Sequence, residues 1–163
     1  MTLFLLLACG PSADSVVEGL ASENPIAREA MAREAASVDD ARVVDALIAA
    51  LEDRSVDVRR NAVESLGALR AHDAVPSLCD LVVRDPAVGV QRAAITALAR
   101  LRDARAVPVL VRHLEKHRDA LDAIWALGEI GDPSAVAILS ELRRSGDVYV
   151  SYNASRALAR IKS

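Results

Sequence analysis

The strongest constraint on the fold is a period. Leu47, Leu78, Leu110 and Leu139 are separated by 31, 32 and 29 residues, and each has a valine three places before it (Val44, Val75, Val107, Val136). A second series, Ala62 with Leu66, Ala94 with Leu98, Ala123 with Leu127 and Ala154 with Leu158, keeps the same step. Two independent sets of anchors on one period indicate a repeated supersecondary unit. Inside the unit the apolar spacing is helical. In the most regular copy, residues 56–83, Val58, Ala62, Leu66 and Leu69 mark one helix face, and Val75, Leu78 and Val82 mark a second. Arg70-Ala71-His72-Asp73 forms a polar break between them, just after Gly67, and Pro76 falls in the first turn of the second helix, where its missing N–H costs nothing. A hairpin this short cannot bury two apolar stripes alone. It needs copies of itself on either side.

Composition agrees. Hydrophobic residues make up 52% of the 163 but aromatics only 2%, so the core must be Ala, Val, Leu and Ile. That suits closely packed helices and disfavours a β-sandwich, whose strands draw on aromatic and β-branched residues. Along the chain, Asp14–Ala21 reads as a lone helix opening the stack. Asn24-Pro25 and Asp85-Pro86 are cap-and-proline helix starts. Repeat one carries Ala27, Met31, Ala35 and Val38 on its first helix, and Asp40-Ala41-Arg42 opens its partner, which ends near Leu51. Repeat three has Val90, Ala94, Leu98 and Leu101, then a helix from Asp103-Ala104-Arg105 to Leu114. In repeat four the helices are about Asp119–Ile130 and Asp132–Arg143, with Gly131 between them. After the turn Ser145-Gly146-Asp147, a helix at about Tyr149–Ile161 closes the stack, its Arg156, Arg160 and Lys162 suiting a polar end. The expectation is an all-α solenoid of about ten helices. Residues 1–9 form a signal segment, 10–23 a tether and capping half-repeat, and 24–163 the repeats with a C-terminal half-repeat.

The elements Val56-x-Val58-Arg59, Ala62, Leu66-Gly67, Asp73-Ala74-Val75-Pro76 and Leu78 resemble HEAT repeats, in particular the short HEAT-like class of phycobilisome lyase subunits. The resemblance covers roughly Asn24 to Ile161. It weakens at the Arg59 position, which is Gln91 in repeat three, Ala120 in repeat four and Ser151 in the last helix. It implies a right-handed α-α superhelix of the HEAT/armadillo kind that binds proteins on a concave face lined by the second helices. It carries no lyase activity onto these residues.

The chain begins MTLFLLLA, too short an apolar run to span a bilayer core of ~30 Å, and one that reads as the apolar part of a signal peptide. Leu6-Leu7-Ala8-Cys9 resembles the bacterial lipobox, whose cysteine is diacylated, and Gly10, Pro11 and Ser12 follow as a tether. No Lys or Arg precedes the run, which departs from the pattern. The expectation is a lipid anchor on Cys9 at the bacterial cell envelope. Another secretory signal, or an apolar N-terminus on a cytoplasmic protein, stays open.

No catalytic set stands out. His113 and His117 are at i, i+4 and can share a face, but the sequence places no third ligand, and neither a Ser/His/Asp set nor a glycine-rich phosphate loop is present. No metal and no cofactor is expected. A net charge of −3 with only two lysines argues against nucleic acid as a partner. Cys79, inside an amphipathic helix, reads as a small core residue. Positive charge gathers on the second helix of repeat three. With second helices inward, the expected contact set is Arg84, Arg105, Arg112, His113 and Lys116, with Asp45, Asp80 and Glu141 as acidic neighbours. Trp125 occupies a place held by Arg33, Glu64, Thr96 and Arg156 in the other copies. Either it folds over a gap left by Ala120 and Ala123, or it is an exposed anchor for a partner. The function expected is a non-catalytic scaffold for a protein or peptide, one with an acidic segment. The alternatives are an accessory subunit of an enzyme of the chromophore-lyase kind and a purely structural spacer.

Overall fold

The computed structural model describes residues 10–117 and 120–161. Cys9, Arg118, Asp119 and Lys162 lie outside the described residues. Ten α-helices follow in order: α1 (Ala13–Leu20), α2 (Pro25–Glu34), α3 (Ala41–Ala50), α4 (Val56–Ala68), α5 (Val75–Arg84), α6 (Val88–Leu101), α7 (Val107–Lys116), α8 (Leu121–Ile130), α9 (Val136–Leu142) and α10 (Val148–Ile161). The expected hairpins are α2–α3, α4–α5, α6–α7 and α8–α9, with α1 and α10 as half-repeats at the ends.

Each second helix buries one stripe. Leu47 in α3, Leu78 in α5, Leu110 in α7 and Leu139 in α9 are fully enclosed. The period therefore marks the core. The register in α3 is one residue off the expectation, with Val43 buried and Val44 half-buried. A 3-10 turn that periodicity did not signal precedes α5, α7 and α9 (residues 72–74, 104–106 and 133–135). Asp103 and Asp132 cap their turns by accepting from the Arg105 and Ser134 N–H groups, and Asp40 does the same for α3 through Arg42 N–H. The regular copy is the exception, because Ala71 precedes its turn and offers no side-chain cap.

The first helices are enclosed on more sides. In α4, Val58, Ala62, Val63 and Leu66 are buried, and so are Asn61 and Ser65. Ser65 Oγ donates to the Ala32 carbonyl at 2.6 Å and Asn61 Nδ2 to the Glu29 carbonyl at 3.3 Å, so these polar groups stitch α4 to α2. Helices α2, α4, α6, α8 and α10 form one continuous packed row. Small residues make this possible. A Cβ added at Gly67 would stand 3.0 Å from Ala97 Cβ, and one at Gly128 would stand 2.8 Å from Ala157 Cα. The second helices pack on one another less, and clefts open between α3 and α5 and between α5 and α7.

The second helices carry the large aliphatic anchors, and larger side chains hold neighbouring axes further apart.

Candidate functional site

Two arginines fasten the repeats. Arg59, on α4, grips Asp85 through Nε (2.8 Å) and Nη2 (3.0 Å), and its Nη1 donates to the Asp53 carbonyl (2.8 Å). Arg28, on α2, grips Asp53 at 2.6 and 3.1 Å and donates to the Ser22 and Glu23 carbonyls. Each guanidinium ties the linker before its hairpin to the linker after it. The carboxylates also accept from Ser55 N–H and Ala87 N–H, at the starts of α4 and α6. Burial pushes the Asp85 carboxyl up, but Arg59 and the Ala87 N–H outweigh it and hold the carboxyl below the usual range. Asp53 is held low chiefly by its bond to Arg28.

Repeat three keeps half of this clasp. Gln91 replaces Arg59 and donates to the Asp85 carbonyl at 2.7 Å. His117 follows the end of α7, where Asp85 follows the end of α5. A cleft of about 430 Å³ lies beside it, lined by Gln91, Arg92, Ile95, His113, His117 and Asp122 among others. His113 and His117 stand with ring centroids 4.8 Å apart. Burial, then His117, pushes His113 below its ordinary value, and Asp122 opposes the shift. The shift favours the neutral form of His113. Among the described residues no group of three or more His, Cys, Asp and Glu is placed to hold a metal ion.

The structure divides the expected contact set. Arg112, His113 and Lys116 line a second cleft with Gln91, Val82 and Val83. Asp80 and Arg84 line a different one, next to the Arg59–Asp85 clasp. Asp45 is exposed on α3 and Glu141 on α9. Arg105 is engaged in the fold. Its side chain donates to Asp103 at 2.7 and 3.0 Å and to the His72 carbonyl at 2.9 Å, tying the turn before α7 to the turn before α5. Arg42 is its equivalent, bridging Asp40 to Asp14. Asp103, held chiefly by Arg105, titrates well below the usual carboxylate range.

Trp125 stands on the other row, on α8, with 40% of its surface exposed. It borders a groove of about 420 Å³ lined by Gly67, Ala68, Arg70, Ala99, Arg100, Arg102 and Glu129. On its other side lies a small recess with Asn153, Arg156 and Arg160 of α10. Periodicity singled out Trp125 but not the arginines around it. The signal available was positional, since Arg70 and Arg102 fall where repeat four has Gly131.

The model of the family described as HEAT repeats matches residues 13–89, and that of the PBS lyase HEAT-like repeat matches 90–116 and 120–144. The chain carries HEAT-type repeats. Its HEAT array is similar to a chain in the complex of CpcE and CpcF of phycocyanin lyase from Nostoc sp. PCC7120, with 25% identity, a TM-score of 0.79, and coverage of 99% of this chain and 69% of that one. An engineered protein matches at 24% identity and a TM-score of 0.69 over 92% of this chain and 79% of its own. A designed armadillo repeat protein in complex with the peptide (KR)4 matches at 21% and 0.66 over 90% and 80%. These last two likenesses show the fold of the HEAT array alone. No curated protein matches the chain.

Proposed function

We infer that the chain is a non-catalytic scaffold that binds a protein or peptide through the row of first helices. The observation that carries this reading is Trp125. A large aromatic stands in solvent at a place where the other copies present polar or charged side chains, between two recesses of the closely packed row. Exposed tryptophan beside arginine is the composition of interface hot spots. The likeness to a chain of a two-protein lyase complex supports working with a partner chain. The test compares cross-linked capture from envelope extract by wild type, Trp125→Ala, and Arg112→Glu/Lys116→Glu. Loss of one specific band with Trp125→Ala supports the first-helix face. Loss only with the Arg112/Lys116 pair places the partner on the second helices instead.

The anchor belongs to the same proposal. Among the described residues no helix is long and apolar enough to cross a membrane, and a lipid on Cys9 would hold the scaffold at the envelope. Mass spectrometry of the native N-terminus checks it, and an unmodified Met1 ends it.

A second reading is favoured by the same likeness: an accessory subunit of a chromophore lyase, acting with a partner chain. A co-purified partner and visible absorbance in the purified complex would support it.

A further inference from the structure

Arg70, the second residue after α4, and Arg102, the first after α6, have left-handed backbone, each with φ 53°. The equivalent residue after α8 is Gly131, φ 77°. Glycine adopts this conformation freely and arginine does not, so two repeats keep a strained arginine where a glycine would serve the turn. Both side chains line the groove beside Trp125, together with Arg100. All three arginines are exposed, and none of their side chains has a hydrogen-bond or ion-pair partner among the described residues. The acidic side chain in the groove, Glu129, is engaged by Arg160. Three uncompensated positive charges thus converge on one recess of a chain whose net charge is −3. Packing does not require them, since they touch no carboxylate, and the helix C-termini merely accommodate their charge.

We propose that this groove binds an extended acidic peptide segment, its carboxylates on Arg70, Arg100 and Arg102 and an apolar side chain on Trp125. The proposal rests on the scaffold reading and names the chemistry of its partner. The groove crosses three first helices, α4, α6 and α8, which at axis spacings of ~8–10 Å span roughly 16–20 Å, about five or six residues of extended chain at ~3.3 Å each. Carboxylates suit the site because guanidinium forks bind them in a bidentate manner.

Trp125 is the sole tryptophan, so its emission reports the groove directly. The probe is the octapeptide (Asp-Glu)4, titrated into the full chain at low salt, with (Lys-Arg)4 and the oligonucleotide dT10 as parallel arms. The expected result is a saturable, salt-sensitive change with (Asp-Glu)4 and none with (Lys-Arg)4. Arg70→Ser/Arg100→Ser should weaken it by about ten-fold, as should Arg102→Gly combined with Arg100→Ser. Arg102→Gly removes strain, so this second variant separates lost binding from lost folding, with circular dichroism as the check. The proposal is overturned if (Asp-Glu)4 leaves the emission unchanged, if the variants bind as wild type does, or if dT10 binds as tightly with the same arginine dependence. If the natural partner is lost with Trp125→Ala while (Asp-Glu)4 fails to bind, the acidic-segment proposal falls and the scaffold reading stands.

Discussion

At the scale of single residues, the guanidinium groups do different work according to what faces them. Arg59 and Asp85 are 10% and 2% exposed at their side chains, so removing one leaves the other buried without its partner. Arg59→Met should lose about 3 kcal/mol of stability, and Arg59→Met/Asp85→Asn should recover part of it. Urea midpoints measure both. Acid should act on the same pairs. Asp53, Asp85 and Asp103 titrate lower in the fold than in the unfolded chain. Their stabilisation is complete above the unfolded value of about 3.9 and is lost as pH falls through the folded values. The melting temperature should therefore be level from about pH 5 to 7 and drop below about pH 4. Arg102 is the opposite case. Its left-handed backbone is relieved in Arg102→Gly, which should gain about 1 kcal/mol. Cys79 is half-buried, and burial above all pushes its thiol up to about 11. It should alkylate slowly with iodoacetamide at about pH 8 and rapidly in urea.

At the scale of helices, the two rows obey different rules. The second helices bury one stripe, which periodicity shows directly, and Leu47, Leu78, Leu110 and Leu139 fall where the spacing puts them. The first helices are packed from several sides, and their closeness depends on Gly67 and Gly128 meeting Ala97 and Ala157. That condition can be tested by moving a methyl group. Gly128→Ala should cost about 1–3 kcal/mol, since Ala157 backbone must shift. Gly89→Ala in α6 meets nothing and should gain up to about 1 kcal/mol. Thermal melts of the two variants should move in opposite directions. The Arg59–Asp85 pairing was hidden in the sequence, because it joins residues 26 positions apart. Its trace is that Arg28/Arg59 and Asp53/Asp85 share the period of the anchors. For the candidate site, the departure of Trp125 from the pattern was legible, and the strain at Arg70 and Arg102 was not, since strain is a property of φ.

At the scale of the whole molecule, the array is nearly one-dimensional: each first helix packs on the first helices before and after it. The ends therefore matter more than their size suggests. Helix α10 buries Val150, Ala154, Ala157 and Leu158 against the stack. A chain ending at Ser145 should leave α8 uncovered and self-associate, which light scattering after size exclusion would register as a mass above the monomer. The clasps have a further consequence at this scale. The two ends of the Arg59 latch, the Asp53 carbonyl and the Asp85 carboxylate, occupy the same position in successive repeats. A unit copied in register would carry its own latch and meet its neighbour's, so gene duplication or unequal recombination could lengthen such a chain without breaking a pair. Repeat three, where Gln91 stands in place of Arg59, is where that freedom stops.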